Sequence, residues 1–173
     1  MQHALQPLFD QLERQRLEFC AWVENVPRAR QHQSPAPAQW SAAQVLYHLA
    51  LVDKQVLTSL QKKLNSGKPL RPLRWQTRLK SFLLNLVLRL PLKLKAPAAL
   101  PPVPADVSVE EVVREWQATR AQLRQVLANY PAEQLNREVF FHPRAGMLTM
   151  PQTLRFMAAH TEHHRPQLKR LLS

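Results

Sequence analysis

Glycine is nearly missing from this chain of 173 residues: Gly67 and Gly146 are the two present, beside a single cysteine, Cys20. Phosphate-cradling loops and turn-dense all-β chains both depend on glycine, so both classes are excluded. One cysteine permits neither an internal disulfide nor a cysteine-rich zinc site. That usage fits a reducing compartment, and a cytoplasmic location is expected. Long apolar runs are missing too. A membrane-spanning helix needs about 18 or more consecutive apolar residues, and none is found, so no span is expected. The opening MQHALQPLFDQLERQ has no basic leader followed by an apolar run, and no secretory signal is expected. Acidic residues are scarce: 12 Asp+Glu stand against 24 Lys+Arg, for a net charge of +12. Such a balance favours anionic partners by steering and counterion release, yet says nothing about fold. No helix-turn-helix turn, zinc finger or aromatic-rich RNA motif is visible, so no specific nucleic-acid partner is expected.

What the chain does have is helical periodicity punctuated by 15 prolines. Residues 4–26 carry Leu5, Leu8, Phe9, Leu12, Phe19, Val23 and Val26 at helical spacing, and Pro27 stops them. The stretch 27–39 reads as a loop. A second helix opens at Ser41, with Gln44 completing a capping box. Its inward stripe runs Val45, His48, Leu49, Val52, Val56, Leu60 and Leu64, and Ser66-Gly67 ends it. Residues 68–107 hold seven prolines and cannot form one helix. Within them, Arg74, Arg78, Ser81, Asn85 and Arg89 make a narrow polar strip on an otherwise apolar wheel, which predicts a short amphipathic helix over 74–90. A third helix spans 108–129, capped by Ser108 with Glu111, and Pro131 closes it. Val139-Phe140-Phe141 looks extended, and His142-Pro143 with Gly146 reads as a turn. The fourth helix starts near Thr149, with Pro151 in its first turn and Gln152 at N3. Its inward positions are Met157, His160, His164, Leu168 and Leu171, and Pro166 predicts a bend just after His164. The expectation is an all-α four-helix bundle, one domain over 1–173, with a long proline-rich crossover.

Three histidines carry the chemistry in this reading. His160 and His164 are four residues apart, so one helix face presents both imidazoles. His48 lies on the inward stripe of a second helix. Neutral imidazole binds zinc, nickel, copper and iron, and three protein nitrogens leave coordination positions open for water or substrate. The segment His160-Thr161-Glu162-His163-His164 sets its glutamate one residue too late for the zinc-protease motif. A pair at this spacing also arises on faces where histidines merely pack or face solvent. Smaller expectations attach to the neighbours. His163 falls about 100° from His164 and is placed on a flank. Gln167, one turn past His164, is placed to orient that ligand or to face solvent. His142, in its turn, could edge the pocket, although exposure is the default for a turn histidine. Tyr47 and Asp53 flank His48, the four tryptophans pack or line a rim, and Cys20 acts as a small hydrophobe.

The chain resembles the DinB-like (DinB/YfiT) superfamily of metal-binding four-helix bundles. Trp40-Ser41-Ala42-Ala43-Gln44-Val45-Leu46-Tyr47-His48-Leu49 is similar to the family's second helix, and His142-Pro143-Arg144-Ala145-Gly146-Met147-Leu148-Thr149 to the turn before its last helix. His160-x-x-x-His164-x-x-Gln167 is similar to the closing helix. The resemblance covers nearly the whole chain, with 68–107 least matched. It implies a divalent metal on His48, His160 and His164, zinc or nickel first, with iron and manganese also admissible. It further implies metal-dependent thiol S-transferase or isomerase chemistry with a low-molecular-weight thiol as co-substrate. The three-histidine site also admits hydrolase-like chemistry, in which metal-activated water attacks a small molecule. No catalytic residue beyond the ligands, and no organic cofactor site, can be named. Two other readings stay open. One is a non-catalytic basic module for anionic surfaces, built on Arg71, Arg74, Arg78, Lys80, Arg89, Lys93 and Lys95. The other is a bundle with a purely structural metal. A homodimer through the apolar crossover is compatible with each.

Overall fold

Three of the four long helices among the described residues start where a side chain receives an orphan N–H group. The computed structural model describes residues 1–73 and 102–173. Helix α1 (Gln6–Glu24) begins with a proline in its first turn. After the short α2 (Arg28–His32), Ser41 caps α3 (Ala42–Leu64) through a reciprocal box with Gln44. Ser108 Oγ accepts from Glu111 N at the head of α4 (Val109–Ala128), where Glu110 and Glu111 also meet the positive end of the helix dipole. Thr149 and Gln152 form a second reciprocal box at α5 (Met150–Leu172). Such caps each contribute about 1 kcal/mol and fix where the periodic stripe begins.

Among the described residues, four long helices pack on one another: α3 on α4, α1 on α5, and α3 on α5. The fold is mostly helical, as expected, but it is not all-α. A small antiparallel sheet of order β1-β2-β3 lies against the helices, built from Arg71–Pro72 (β1), Arg137–His142 (β2) and Gly146–Thr149 (β3). The β2–β3 register shifts between Glu138 and Phe140. That irregularity lets Val139 and Phe140 both turn inward, while Phe141 stands 62% exposed. Gly146 closes the hairpin at φ +78°, a conformation glycine adopts without steric cost. The extended triplet and the turn were visible in the sequence. The two-residue β1 was not, because it pairs only through Arg71↔Glu138 and Pro72↔Arg137, far apart along the chain. Residues 27–39 also differ from expectation, since 28–32 wind into α2. Helix α5 runs through Pro166 without interruption. The amphipathic helix expected over 74–90 lies outside the described residues.

The apolar interior is divided. One cluster gathers Phe9, Leu12, Leu60, Leu123, Leu127, Leu148 and Leu154 towards the sheet. The other gathers Phe19, Val23, Val45, Leu46, Leu49, Trp116 and Leu168. Between them, in chain position on each helix, fall buried polar residues: Gln15 and Arg16 on α1, Asp53 on α3, Thr119 and Arg120 on α4, and Thr161 on α5. Arg120 is 1% exposed, and its Nη2 lies 2.5 Å from Asp53 Oδ2. The same carboxylate oxygen accepts from Trp116 Nε1. Burial pushes the Asp53 carboxyl above its ordinary range, against the opposing pull of Arg120 and the Trp116 N–H. Glu13 Oε1 stands 3.9 Å from Arg120 Nε.

Removing one member of such a pair strands the other charge in a low-dielectric interior. Asp53→Leu is therefore expected to cost about 3–5 kcal/mol, measured as a lowered urea midpoint. The double variant Asp53→Leu/Arg120→Met should recover most of that loss, and no recovery would show that the pair is not the source of the cost.

Candidate metal centre

Ser41 sets the phase of α3 so that His48, seven residues on, falls on the inward stripe with Val45 and Leu49. On α5, the box at Thr149 sets His160 and His164 on one face, one turn apart. Because α3 and α5 pack together, the three imidazoles meet. Their ring centroids form a near-equilateral triangle: 5.2 Å from His48 to His160, 5.1 Å from His48 to His164, and 5.0 Å from His160 to His164. The rings stand edge to face, at 67°, 65° and 83°. One nitrogen from each lies within 4.8 Å of the others. His48 Nε2 and His160 Nε2 are 3.4 Å apart. Two imidazole nitrogens bound to one tetrahedral zinc at about 2.0–2.1 Å would be separated by roughly 3.4 Å. The donor set therefore fits a divalent ion in its chemistry, and the His48–His160 pair also in its spacing.

The protonation states fit as well. Burial lowers His48 to about 4, aided by His164. Burial likewise holds His164 at about 4, although its bond to Gln167 opposes the shift. His160 is driven well below the ordinary imidazole range, by burial first and by the other histidines second. At neutral pH all three are uncharged, as metal ligands must be. His164 Nδ1 lies 2.9 Å from Gln167 Oε1. An amide oxygen only accepts, so Nδ1 carries the proton and Nε2 keeps its lone pair for the cluster. Of the two placements open to Gln167, the structure adopts the orienting one.

Around the triangle the walls are aromatic. Trp40 lies against His48 at 4.9 Å, and Phe156 stacks on His160 at 6.0 Å. His163 flanks His164 at 5.4 Å, in the position expected for it. Glu162 turns away towards α1. Gln15 Nε2 donates to it at 3.2 Å and Arg165 Nε at 2.5 Å, while Arg165 also grips Glu18. The carboxylate between the paired histidines is thus committed to holding α5 on α1. Asp53 does not support His48 either, being committed to Arg120 and Trp116, and Tyr47 lines a separate cavity of about 240 Å³ between α3 and α4. Cys20 is buried, its thiol pushed up to about 11, and serves as a hydrophobe. His142 departs from the exposed default. It is 8% exposed rather than solvated, and its ring meets Phe156 at 4.5 Å. The missed signal was local: a histidine just before a tight turn can accept the turn's own N–H groups and fold inward.

Comparison with known proteins bears on this geometry. The pattern of the DinB superfamily matches residues 11–168. The chain belongs to the DinB superfamily. It is 26% identical over 156 residues to the uncharacterized protein YuaE of Bacillus subtilis (strain 168), covering 90% of this chain and 91% of that one. A crystal structure of a conserved protein from Enterococcus faecalis superposes with a TM-score of 0.58 at 21% identity. That match covers 99% of this chain and 98% of the other, and it supports the fold alone.

Two outcomes test the centre. Gln167→Ala frees the His164 ring to change tautomer and should weaken zinc binding about 10- to 100-fold, measured by competition with a chromophoric chelator. The metal-free protein should also lose stability as pH falls from about 6.5 to about 4. In that window the unfolded chain takes up protons that the folded imidazoles refuse, so the stabilisation present above 6.5 drains away on acidification. A melting temperature flat across the window would contradict the neutral cluster.

Proposed function

We propose that this chain is a metal-dependent enzyme acting on a small molecule, of the thiol S-transferase or hydrolase kind, with His48, His160 and His164 as the ligands. We also propose that residues 1–173 form a single four-helix bundle domain. The ion would be divalent, with zinc and nickel foremost for three imidazoles and iron and manganese admissible. When bound, such an ion supplies Lewis acidity and lowers the pKa of a coordinated water or thiol towards neutrality. The protein's own part is to hold three nitrogens neutral, to lock the His164 tautomer through Gln167, and to wall the site with Trp40 and Phe156. The observation that carries the reading is the donor set: three histidine nitrogens come together, and no fourth such ligand joins them among the described residues. A structural ion is normally enclosed by four protein ligands, whereas a catalytic one has three and keeps a position for substrate. That count favours catalysis over a purely structural metal.

Elemental analysis of protein purified without a nickel column is the first test. Near-stoichiometric metal is expected in the wild type, and metal lost on dialysis from His48→Ala, His160→Ala and His164→Ala. Three variants that retain full metal would remove the proposal. Chelation should abolish thiol transfer or hydrolysis in a substrate screen while leaving the helical circular dichroism intact. Collapse of that signal on chelation would instead favour the structural metal.

A further inference from the structure

The turn of α5 that carries His164 is short of one backbone bond. Pro166 has no N–H, so the helical bond from residue 166 to the Glu162 carbonyl cannot form, and the proline ring crowds that carbonyl. His164 and Gln167 lie on either side of this proline, and the 2.9 Å contact between His164 Nδ1 and Gln167 Oε1 spans it. A proline inside a helix ordinarily bends it. Here α5 continues from Met150 to Leu172, and α1 grips it around the affected turn. Gln15 Nε2 donates to the Ala158 carbonyl and to Glu162, each at 3.2 Å. Glu18 takes both terminal nitrogens of Arg165 in a fork, Nη1 to Oε1 at 2.6 Å and Nη2 to Oε2 at 2.8 Å. Arg165 Nε donates to Glu162 Oε1. The same guanidinium lies 5.1 Å from the ring centroid of Phe19 and 5.1 Å from that of Trp22, both on α1.

A forked pair fixes direction as well as distance. Glu18 and Arg165 are partly exposed, and pairs of that kind contribute little to global stability. Orientation is what this one supplies. Arg165 follows His164 by one residue, about 100° round the helix, so a turn that rotates one rotates the other. The triangle tolerates little rotation, because its ring centroids are 5.0 to 5.2 Å apart and His48 stands on a different helix. We propose that Glu18 on α1 is a positioning residue for the metal centre, holding through Arg165 the proline-interrupted turn of α5 so that His164 keeps its place and its bond to Gln167. Glu18 is not itself one of the clustered donors. Its influence runs through the setting of the helix, and α1, which contributes no ligand, becomes part of the centre. This inference rests on the metal centre proposed above.

Zinc affinity, read by competition with a chromophoric chelator, tests the coupling. Glu18→Gln should bind zinc about tenfold more weakly than wild type, while the melting temperature of the metal-free protein hardly changes. Pro166→Ala restores the missing N–H. In the double variant Glu18→Gln/Pro166→Ala the turn should therefore hold itself, and most of the zinc affinity should return. A clamp that only joins two helices predicts no such rescue. Glu115→Gln breaks the exposed Lys54–Glu115 pair between α3 and α4 and should leave zinc affinity unchanged. Wild-type affinity in Glu18→Gln, an equal loss in Glu115→Gln, or no recovery in the double variant overturns the proposal. Should Glu18→Gln fail to fold, Arg165→Lys keeps the charge, loses the fork, and should weaken zinc to a similar degree. Wild-type affinity in that variant overturns the assignment. Amide hydrogen exchange in the metal-free protein distinguishes the clamp from the centre. Faster exchange over residues 160–168 is expected in Glu18→Gln, and unchanged exchange there overturns the clamp. A wild type that takes up no zinc overturns the metal centre instead.

Discussion

The cost of removing a charge from water governs the middle of this molecule. Asp53 and Arg120 are both almost fully buried, and each is tolerable only because the other is 2.5 Å away. Trp116 adds a donor to the same carboxylate, which fixes α3 against α4 in one register. Purely apolar faces can slide by a turn at modest cost, whereas a buried ion pair cannot. On the opposite side, Gln15, Glu18, Glu162 and Arg165 tie α1 to α5 with polar contacts of their own. Arg165 also lies over the rings of Phe19 and Trp22. The apolar clusters on either side supply bulk burial, and the polar groups between them set the register.

That register is what lets three imidazoles meet. His48 and the α5 pair come from different helices, and a shift of one turn, about 5.4 Å, would exceed the spacing of their rings. The same burial that makes charge costly keeps the rings neutral and their lone pairs free. Their mutual proximity adds to this, since each imidazolium would repel the next. Stability and ligand readiness therefore share one cause, low polarity around titratable groups. The cost appears on acidification, when the folded state resists protons that the unfolded chain accepts.

Much of this was legible along the chain. Ser41-x-x-Gln44 and Thr149-x-x-Gln152 announced two helix starts, and both capping boxes form. The stripe through Val45, His48 and Leu49 placed His48 inward, and it is buried. The single turn between His160 and His164 followed from helical geometry alone. Other features escaped because they are set by partners distant in sequence. Strand β1 is two residues long, too short for any alternation, and exists only because β2 offers it an edge. His142 looked like a solvated turn residue, and its inward fold depends on Phe156 lying beneath it. Asp53 stood close enough to His48 in sequence to suggest support for it. In space it belongs to Arg120, on a helix whose rotation the sequence does not state.

Local spacing alone determined where the long helices begin, which of their faces are apolar, and that two imidazoles share one side of the closing helix. These follow from the fixed pitch of the α-helix and from end groups that must be capped, both properties of neighbouring residues. Only the tertiary structure decided that His48 meets that pair, that Gln167 settles the tautomer of His164, that Glu162 is drawn off to α1, and that His142 folds inward onto Phe156. Each of those outcomes depends on which helix packs beside which, and at what rotation. That choice is made by the summed burial and pairing of residues far apart in the chain, which no single stretch of sequence contains.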